Sequence, residues 1–269
     1  MKLLIENWRK FMTEASLDEA WAGTKGFGSL IAPRYMTEMS NAGEAKAAFE
    51  AGEKLQGWDE YGRLVYEAYR AAPNENAAGL KSFNALIPHI DKNFQRMIGR
   101  DFTVEFVGTD PYSSAEEMLA DARKTGVLKI SSLFNQGGFY GPERNLKFRA
   151  VHDYYAHLGA GKKGDFNAPG FTWEGELRAY NKHLNFVGKQ GKMVPALFTE
   201  IVGQAATFFY TGEFPDQKVV ALSGFDYARL GSVQGYDIID GDLIKSGMQE
   251  EPPTEEPIMP TPEEEENNI

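Results

Sequence analysis

The chain has no cysteine and little histidine. None of its 269 residues is cysteine and four are histidine. Without cysteine there is no disulfide, no thiolate zinc site and no cysteine nucleophile, so any metal site has to use histidine and carboxylate ligands. The lack of cysteine also fits a reducing compartment.

The sequence also lacks a long apolar run and a strong charge on its main body. No run approaches the roughly 20 apolar residues that a membrane-spanning helix needs, and the N-terminus lacks the pattern of a secretory signal peptide. Eight of the 11 net negative charges come from glutamates after Lys245, where there is no basic residue. We therefore expect no membrane span, no signal-peptide secretion and no general nucleic-acid coat.

The pattern along the chain predicts an α+β fold that is mainly helical. Residues 1–14 are amphipathic, residues 15–100 are helical in pattern, and residues 247–269 are rich in proline and glutamate, which predicts a disordered acidic tail. The α+β core is placed at 101–246. Its small sheet is predicted from alternating, β-branched stretches at 101–107 and 127–131, and its site-bearing helices are predicted at 142–158, 173–187 and 195–210.

Several local signals refine this outline. Ser113 and Glu116 have the spacing of a capping box and predict a helix between the two strands, with a right-handed crossover if the strands are parallel. Pro88 predicts an interruption of the helix over 80–98, with His89 at a helix start or on the surface. A short strand is predicted at 219–222.

Three of the four histidines lie within 32 residues and have acids among them. Histidine is the side chain best suited to bind metal or to transfer protons near neutral pH. The candidate residues are His152, Asp153, His157, Glu176, His183 and Glu200.

α-Helical geometry limits how these residues can combine. His152 and His157 are five positions apart, or about 140° around an α-helix, so they are expected to point in different directions. Asp153 and His157 are i, i+4 neighbours on one face. Glu176 and His183 lie on one edge of their helix but about 10.5 Å apart along its axis, which would stretch a shared ion site.

Glu200 lies in a helix that is apolar nearly all round, which predicts burial. A buried carboxylate costs several kcal/mol unless it is paired, protonated or bound to metal. The candidate partners are His152, His183, Arg149 and a cation.

Two interpretations follow from these residues. In one, Glu200 and its partner form a buried polar network that fixes helix packing. In the other, the residues hold a divalent ion, namely zinc, manganese or iron, and activate water to hydrolyse a phosphoester or nucleotide substrate. The roles would be metal ligation by His152, Asp153, His157 and His183, general-base catalysis by Glu200 or Glu176, and an anion clamp by Arg149.

The segment from Asp101 to Gln204 resembles an uncharacterised module of phage and mobile-element proteins, including large polyvalent ones. The resemblance is carried by Phe148–Asp153 (FRAVHD), His157, Gly175-Glu176, His183, Thr199-Glu200 and Gly203-Gln204, with Ala156 where that module has glycine. The module brings no settled activity. It implies that these polar positions occur together, as the parts of one site would.

The first 14 residues resemble the capsid-targeting leaders of internal head proteins in large contractile-tailed phages. Leu4, Trp8 and Phe11 form an apolar stripe, and Met12-Thr13-Glu14 fits the cleavage pattern. The resemblance implies a location in the virion head or host cytoplasm and a non-enzymatic alternative, a packaged protein that binds a virion or host protein. The alternative from the residues alone is a helix docked on the core.

A third possibility is arginine-specific ADP-ribosyl transfer. Glu174-Gly-Glu176 has the Glu-x-Glu form of those enzymes, and Ser131-Ser132 precedes it after a strand. The pair is predicted to lie on a helix, however, and Glu174 is expected to face solvent.

Overall fold

A computed structural model provides the fold. It describes residues 39, 41–98, 102–135, 138–158, 170–189, 191–233, 236–239 and 242–245. The leader-like segment 1–14 and the acidic tail 247–269 lie outside the described residues. Within them the fold is mainly helical α+β with small sheets, as the sequence predicts.

Eight α-helices, a short 3-10 turn and two π-helical segments make up the helical part of the described chain. The α-helices are α1 (Glu44–Glu50), α2 (Gly57–Ala71), α3 (Ala77–Met97), α4 (Ala115–Thr125), α5 (Pro142–His152), α6 (Trp173–Val187), α7 (Val194–Leu197) and α8 (Gln204–Thr211). The 3-10 turn is Gly138–Tyr140, and the π-helical segments are π1 (Asp153–His157) and π2 (Phe198–Gly203).

The predicted strand-helix-strand unit is present. Strands β1 (Thr103–Val107) and β2 (Val127–Ser131) are parallel, with Thr103 opposite Val127, and α4 connects them. A second, antiparallel pair, β3 (Tyr236–Ile239) and β4 (Asp242–Lys245), was not predicted from the sequence.

Three of the eight described α-helices, α3, α4 and α6, begin at a side-chain cap, and the cap of α4 lies a residue later than predicted. Ser114, not Ser113, caps α4 by accepting from the amide of Glu117, and the Glu117 carboxylate accepts from the amide and hydroxyl of Ser113. Asn76 caps α3 by accepting from the amide of Gly79. Caps of this kind satisfy amides that have no partner within the helix.

The predicted interruption at Pro88 is wrong, because α3 runs through it. Leu86, Ile90 and Phe94 on either side of the proline are buried in the core, and their packing holds the helix through the lost hydrogen bond. His89 consequently lies in the middle of α3, half-buried, and not at a helix start.

Residues 219–222 do not form the predicted strand. Val219 makes a single bridge to Glu75, and its carbonyl accepts from the amide of Asn76. The backbone there passes so close to α3 that a Cβ on Gly79 would lie 2.3 Å from the Val219 carbonyl oxygen. The position therefore requires glycine, and this approach replaces further strand pairing.

The core contains a row of aromatic rings that leads to the candidate site. Phe83 stacks on Tyr140 at 5.6 Å between ring centroids, Tyr140 on Phe148 at 6.4 Å, and Phe148 on His152 at 6.3 Å. All are buried, so the site lies inside the core.

No described helix combines the length and the apolar character that crossing a membrane requires.

Two helices change from α to π geometry along their length. α5 continues into π1, where the Leu158 amide donates to the Asp153 carbonyl at 2.8 Å, an i→i+5 bond. α7 continues into π2 and then α8. π-Helical turns are rare and often occur at functional sites.

Candidate metal centre

Two histidines and one glutamate form a buried cluster between α5, π1 and α6. Nε2 of His152 lies 3.1 Å from Nε2 of His157. The Glu176 carboxylate lies 3.4 Å from His152 Nε2 and 3.0 Å from His157 Nε2. Ligands at about 2.1 Å around a tetrahedral ion are about 3.4 Å apart. The group could therefore hold a metal ion with little adjustment.

The π geometry of π1 explains why His152 and His157 meet. The prediction that they point in different directions assumed a straight α-helix, and it is wrong. In a π-helical turn the i and i+5 positions lie one above the other, as the hydrogen bonds of π1 do. The five-residue spacing thus becomes the spacing of neighbours.

Glu176 is placed by the start of α6. The Thr172 hydroxyl caps this helix by accepting from the amide of Gly175. A Cβ on Gly175 would lie 1.8 Å from the Gly170 carbonyl oxygen, so only glycine allows the chain to approach this closely. The sequence Gly175-Glu176 therefore directs the carboxylate toward α5, while Glu174 is exposed, as predicted.

The charges in the centre suit metal binding. Burial by itself would raise the pKa of Glu176, but attraction to His157 and hydrogen bonds from both histidines outweigh it and lower that pKa to about 2. Burial lowers the pKa of His152 below its usual value. The ionised Glu176 and the neutral His152 are in the forms that bind metal, whereas the charged His157 that lowers the Glu176 pKa would release its proton on binding.

His183 lies beside the centre and not among its three ligands. Its ring centroid is 6.1 Å from that of His152 and 6.0 Å from that of Phe148. On its other side the ring of His89 lies 5.8 Å away. Burial and the neighbouring histidines lower the pKa of His183 well below its usual value.

Arg149 and Asp153 also lie outside the three-ligand group. Arg149 Nη1 donates to the carbonyls of Ser131 and Leu133, both at 2.8 Å, at the end of β2. Asp153 is buried in π1. The clamp role for Arg149 and the ligand role for Asp153 stay predictions, and the observed bonds of Arg149 give it a structural role.

Glu200 is buried in π2 and bonds a side chain that was not among its predicted partners. Its Oε2 accepts from Nε2 of Gln217 at 2.9 Å, so the expected pairing with Arg149 or a histidine is wrong. Burial raises the pKa of Glu200 to about 8, although the Gln217 bond opposes this. Glu200 is therefore protonated at neutral pH, which is one of the three ways a carboxyl can tolerate burial.

Sequence reasoning did not place two residues that lie beside the candidate site residues. Gln217 bonds Glu200, and His89 lies next to His183. Gln217 Oε1 also accepts from the amide of Phe139. This side chain therefore connects Glu200 to the 3-10 turn that directly precedes α5 in the chain. Gln217 lies six residues after the end of α8, in an irregular segment. No periodicity in such a segment predicts which way a side chain points. His89 was placed at a helix start because of Pro88, and a continuous α3 would have given it a side facing the core.

In comparisons with protein-family models, curated proteins and solved structures, nothing matches this chain. The functional assignment therefore depends on the geometry of the centre formed by His152, His157 and Glu176.

Proposed function

We propose that the protein is a divalent-metal-dependent hydrolase whose ion is held by His152, His157 and Glu176. The observation that carries the proposal is that the Nε2 atoms of His152 and His157, 3.1 Å apart, each lie within 3.4 Å of an oxygen of the buried Glu176 carboxylate. Polar side chains are rarely buried together without a structural partner or a ligand. In this proposal Glu176 acts as a ligand and not as the general base.

The ligand set narrows the chemistry. Two histidines and one carboxylate leave coordination positions for water and substrate, as catalytic zinc sites do, and they also suit iron and manganese. A bound divalent ion lowers the pKa of water and so provides a nucleophile near neutral pH. Hydrolysis of a phosphoester or nucleotide needs no further co-reactant.

Glu200 enters this proposal with a restricted role. Because its pKa is about 8, it carries a proton at pH 7 and could act as a base only in more alkaline solution. A host-cytoplasm or virion-head location is also part of the proposal, and it is supported by the resemblance of residues 1–14 to capsid-targeting leaders.

Metal content tests the proposal. The full chain, purified without a nickel column, is analysed for bound elements beside His152→Ala and His157→Ala. We expect stoichiometric zinc, manganese or iron in the parent protein and loss in both variants. The matched control is Glu174→Gln, two residues from the ligand but exposed. A parent protein that stays metal-free after reconstitution would contradict the proposal.

Turnover is tested separately. Metal-loaded and chelator-treated protein are compared on phosphomonoester, phosphodiester and nucleotide substrates. We expect hydrolysis only with metal. ADP-ribosyl transfer, the remaining prediction from Glu174 and Glu176, is tested by NAD binding. In the structure one of these glutamates is exposed and the other buried, so they do not share an environment.

A second candidate function is supported by the depth of the centre. His152 is 4% exposed and His157 and Glu176 are 0% exposed. An ion bound at this depth would stabilise the packing of α5 on α6 in a non-enzymatic, packaged virion or host-interaction protein. Stoichiometric metal that raises Tm without any turnover would favour this candidate. Recovery of the chain from assembled particles, cleaved after Glu14, would support packaging.

A further inference from the structure

All four histidines of the chain lie in one continuous row. The ring centroids are 5.8 Å apart from His89 to His183, 6.1 Å from His183 to His152, and 4.8 Å from His152 to His157. The residues come from α3, α6, α5 and π1. The row begins at the half-buried His89 and ends at the fully buried His157.

Three ring nitrogens in the middle of the row have no hydrogen-bond partner among the residues described. They are Nδ1 of His152 and both nitrogens of His183. A buried polar atom left without a partner costs about 1–3 kcal/mol. A histidine that binds metal through one nitrogen normally bonds a partner through the other. The two unpartnered nitrogens of His183 are therefore available to bind a ligand next to the proposed centre.

The spacing of the rings fits an ion between them. Two imidazoles that bind one ion at about 2.0–2.1 Å have ring centres about 5–6 Å apart. The separation between His89 and His183 is 5.8 Å. The two ring nitrogens of His89 lie 3.1 and 3.2 Å from Nδ2 of Asn93, and an ion between the rings would displace that contact at one of them.

We propose that His89 and His183 form a second, weaker divalent-ion position beside the first. Its protein donors are both imidazole nitrogens, so it selects zinc, copper, nickel or cobalt over magnesium and calcium, which prefer oxygen. The inference rests on the proposed metal centre, because the second ion lies next to the first.

The test is a metal titration of the full, chelator-stripped chain. Co²⁺ and Zn²⁺ binding are followed by calorimetry, and Co²⁺ is followed by its visible absorbance. We expect two binding events in the parent protein, one tight and one weaker. His89→Gln and His183→Gln should each lose the weaker event and keep the tight one. His157→Ala should lose the tight event, and Lys81→Ala, an exposed change on α3, should keep both.

The outcomes separate the two proposals. One ion in the parent protein, or two ions in both glutamine variants, overturns the second position and leaves the first intact. No ion in the parent protein overturns both. His183 is fully buried, so circular dichroism is used to confirm that its variant folds. If it does not, the half-buried His89 decides the result.

Discussion

Two glutamates, Glu176 and Glu200, are equally buried but differ in charge at pH 7. Glu176 is ionised and Glu200 is neutral. Both are 0% exposed. Glu176 faces two imidazoles and its pKa falls to about 2, whereas Glu200 faces the uncharged amide of Gln217 and its pKa rises to about 8. Burial alone therefore does not set the charge of a carboxyl group. The neighbouring side chain does so by stabilising or failing to stabilise the ionised form.

The two sites also differ in what they can bind. Glu176 belongs to the one group of three metal-ligating side chains found within the described residues, and Glu200 belongs to none. Both sites adjoin a π-helical turn, π1 or π2. A π turn therefore does not by itself make a metal centre, and the side chains that it brings together decide.

Removing the charged member should have the largest effect. Glu176→Ala leaves two buried imidazoles without their carboxylate, and we expect a loss of about 3–5 kcal/mol in the free energy of unfolding. Urea denaturation of the metal-free protein at pH 7 measures this loss. Glu176→Gln keeps a hydrogen-bonding group and should lose less. If Glu176→Ala loses no more stability than the exposed control Glu174→Ala, the Glu176 carboxylate does not stabilise the fold through the two imidazoles.

Neutralising Glu200 should change the pH dependence of stability. Its folded pKa of about 8 lies above the unfolded value near 4.5, so the native state holds the proton longer. Stability from this group is full below about pH 4.5 and is lost as the pH rises to about 8. Between pH 6 and 8 the loss is roughly 2 kcal/mol.

Glu200→Gln should lack this loss. Its free energy of unfolding, relative to the parent protein, should rise over the same interval in denaturation series at several pH values. Glu174→Gln should show a constant difference. A constant difference for Glu200→Gln as well would mean that Glu200 is ionised in the fold. Glu176 should act in the opposite direction, with its stabilisation lost as the pH falls from about 4.5 to about 2.

Truncating the neutral partner should have a smaller effect. Gln217→Ala removes the donor to Glu200 and the acceptor for the Phe139 amide. We expect a loss of about 1–3 kcal/mol in the free energy of unfolding, because two buried groups lose a partner. Metal binding should not change. Asp216→Ala, its exposed neighbour, is the control, and a shift in metal affinity would show that the two sites are coupled.

A change outside both sites should have the smallest effect. Ser114→Ala removes the side-chain cap of α4, and we expect a loss of about 1 kcal/mol in the free energy of unfolding. Thermal unfolding measures it, with Lys124→Ala on the exposed face of the same helix for comparison. If removing the cap lowers the free energy of unfolding as much as Gln217→Ala does, the polar contacts of Glu200 stabilise the fold no more than an ordinary helix cap.

Much of the fold follows from the sequence because its periodicity is local. The alternation over 127–131 and the apolar stripe over 173–187 predict β2 and α6 with their observed bounds. Pro88 misled because the cost of a proline was outweighed by the burial of its neighbours in the core. The pairing of β3 with β4 had no such local signal.

The sequence predicts which residues form the candidate site better than it predicts their arrangement. His152, His157 and Glu176 were all candidates, but the predicted angle between the two histidines assumed a straight α-helix and was wrong. The change to π geometry is not visible in the sequence, because the apolar spacing over 142–158 fits a straight α-helix as well. The partner of Glu200 is 17 residues away in an irregular segment, where spacing carries no directional information.

The π turn makes the packing around the centre depend on the number of residues as well as their type. Deleting one of the four residues between His152 and His157 would give an i, i+4 spacing, which an α-helix also brings onto one face. The two imidazoles would still meet, but Leu158 and the chain that follows would shift by one position in the core. All four intervening residues are buried, so this turn constrains the size of its side chains as well as their number.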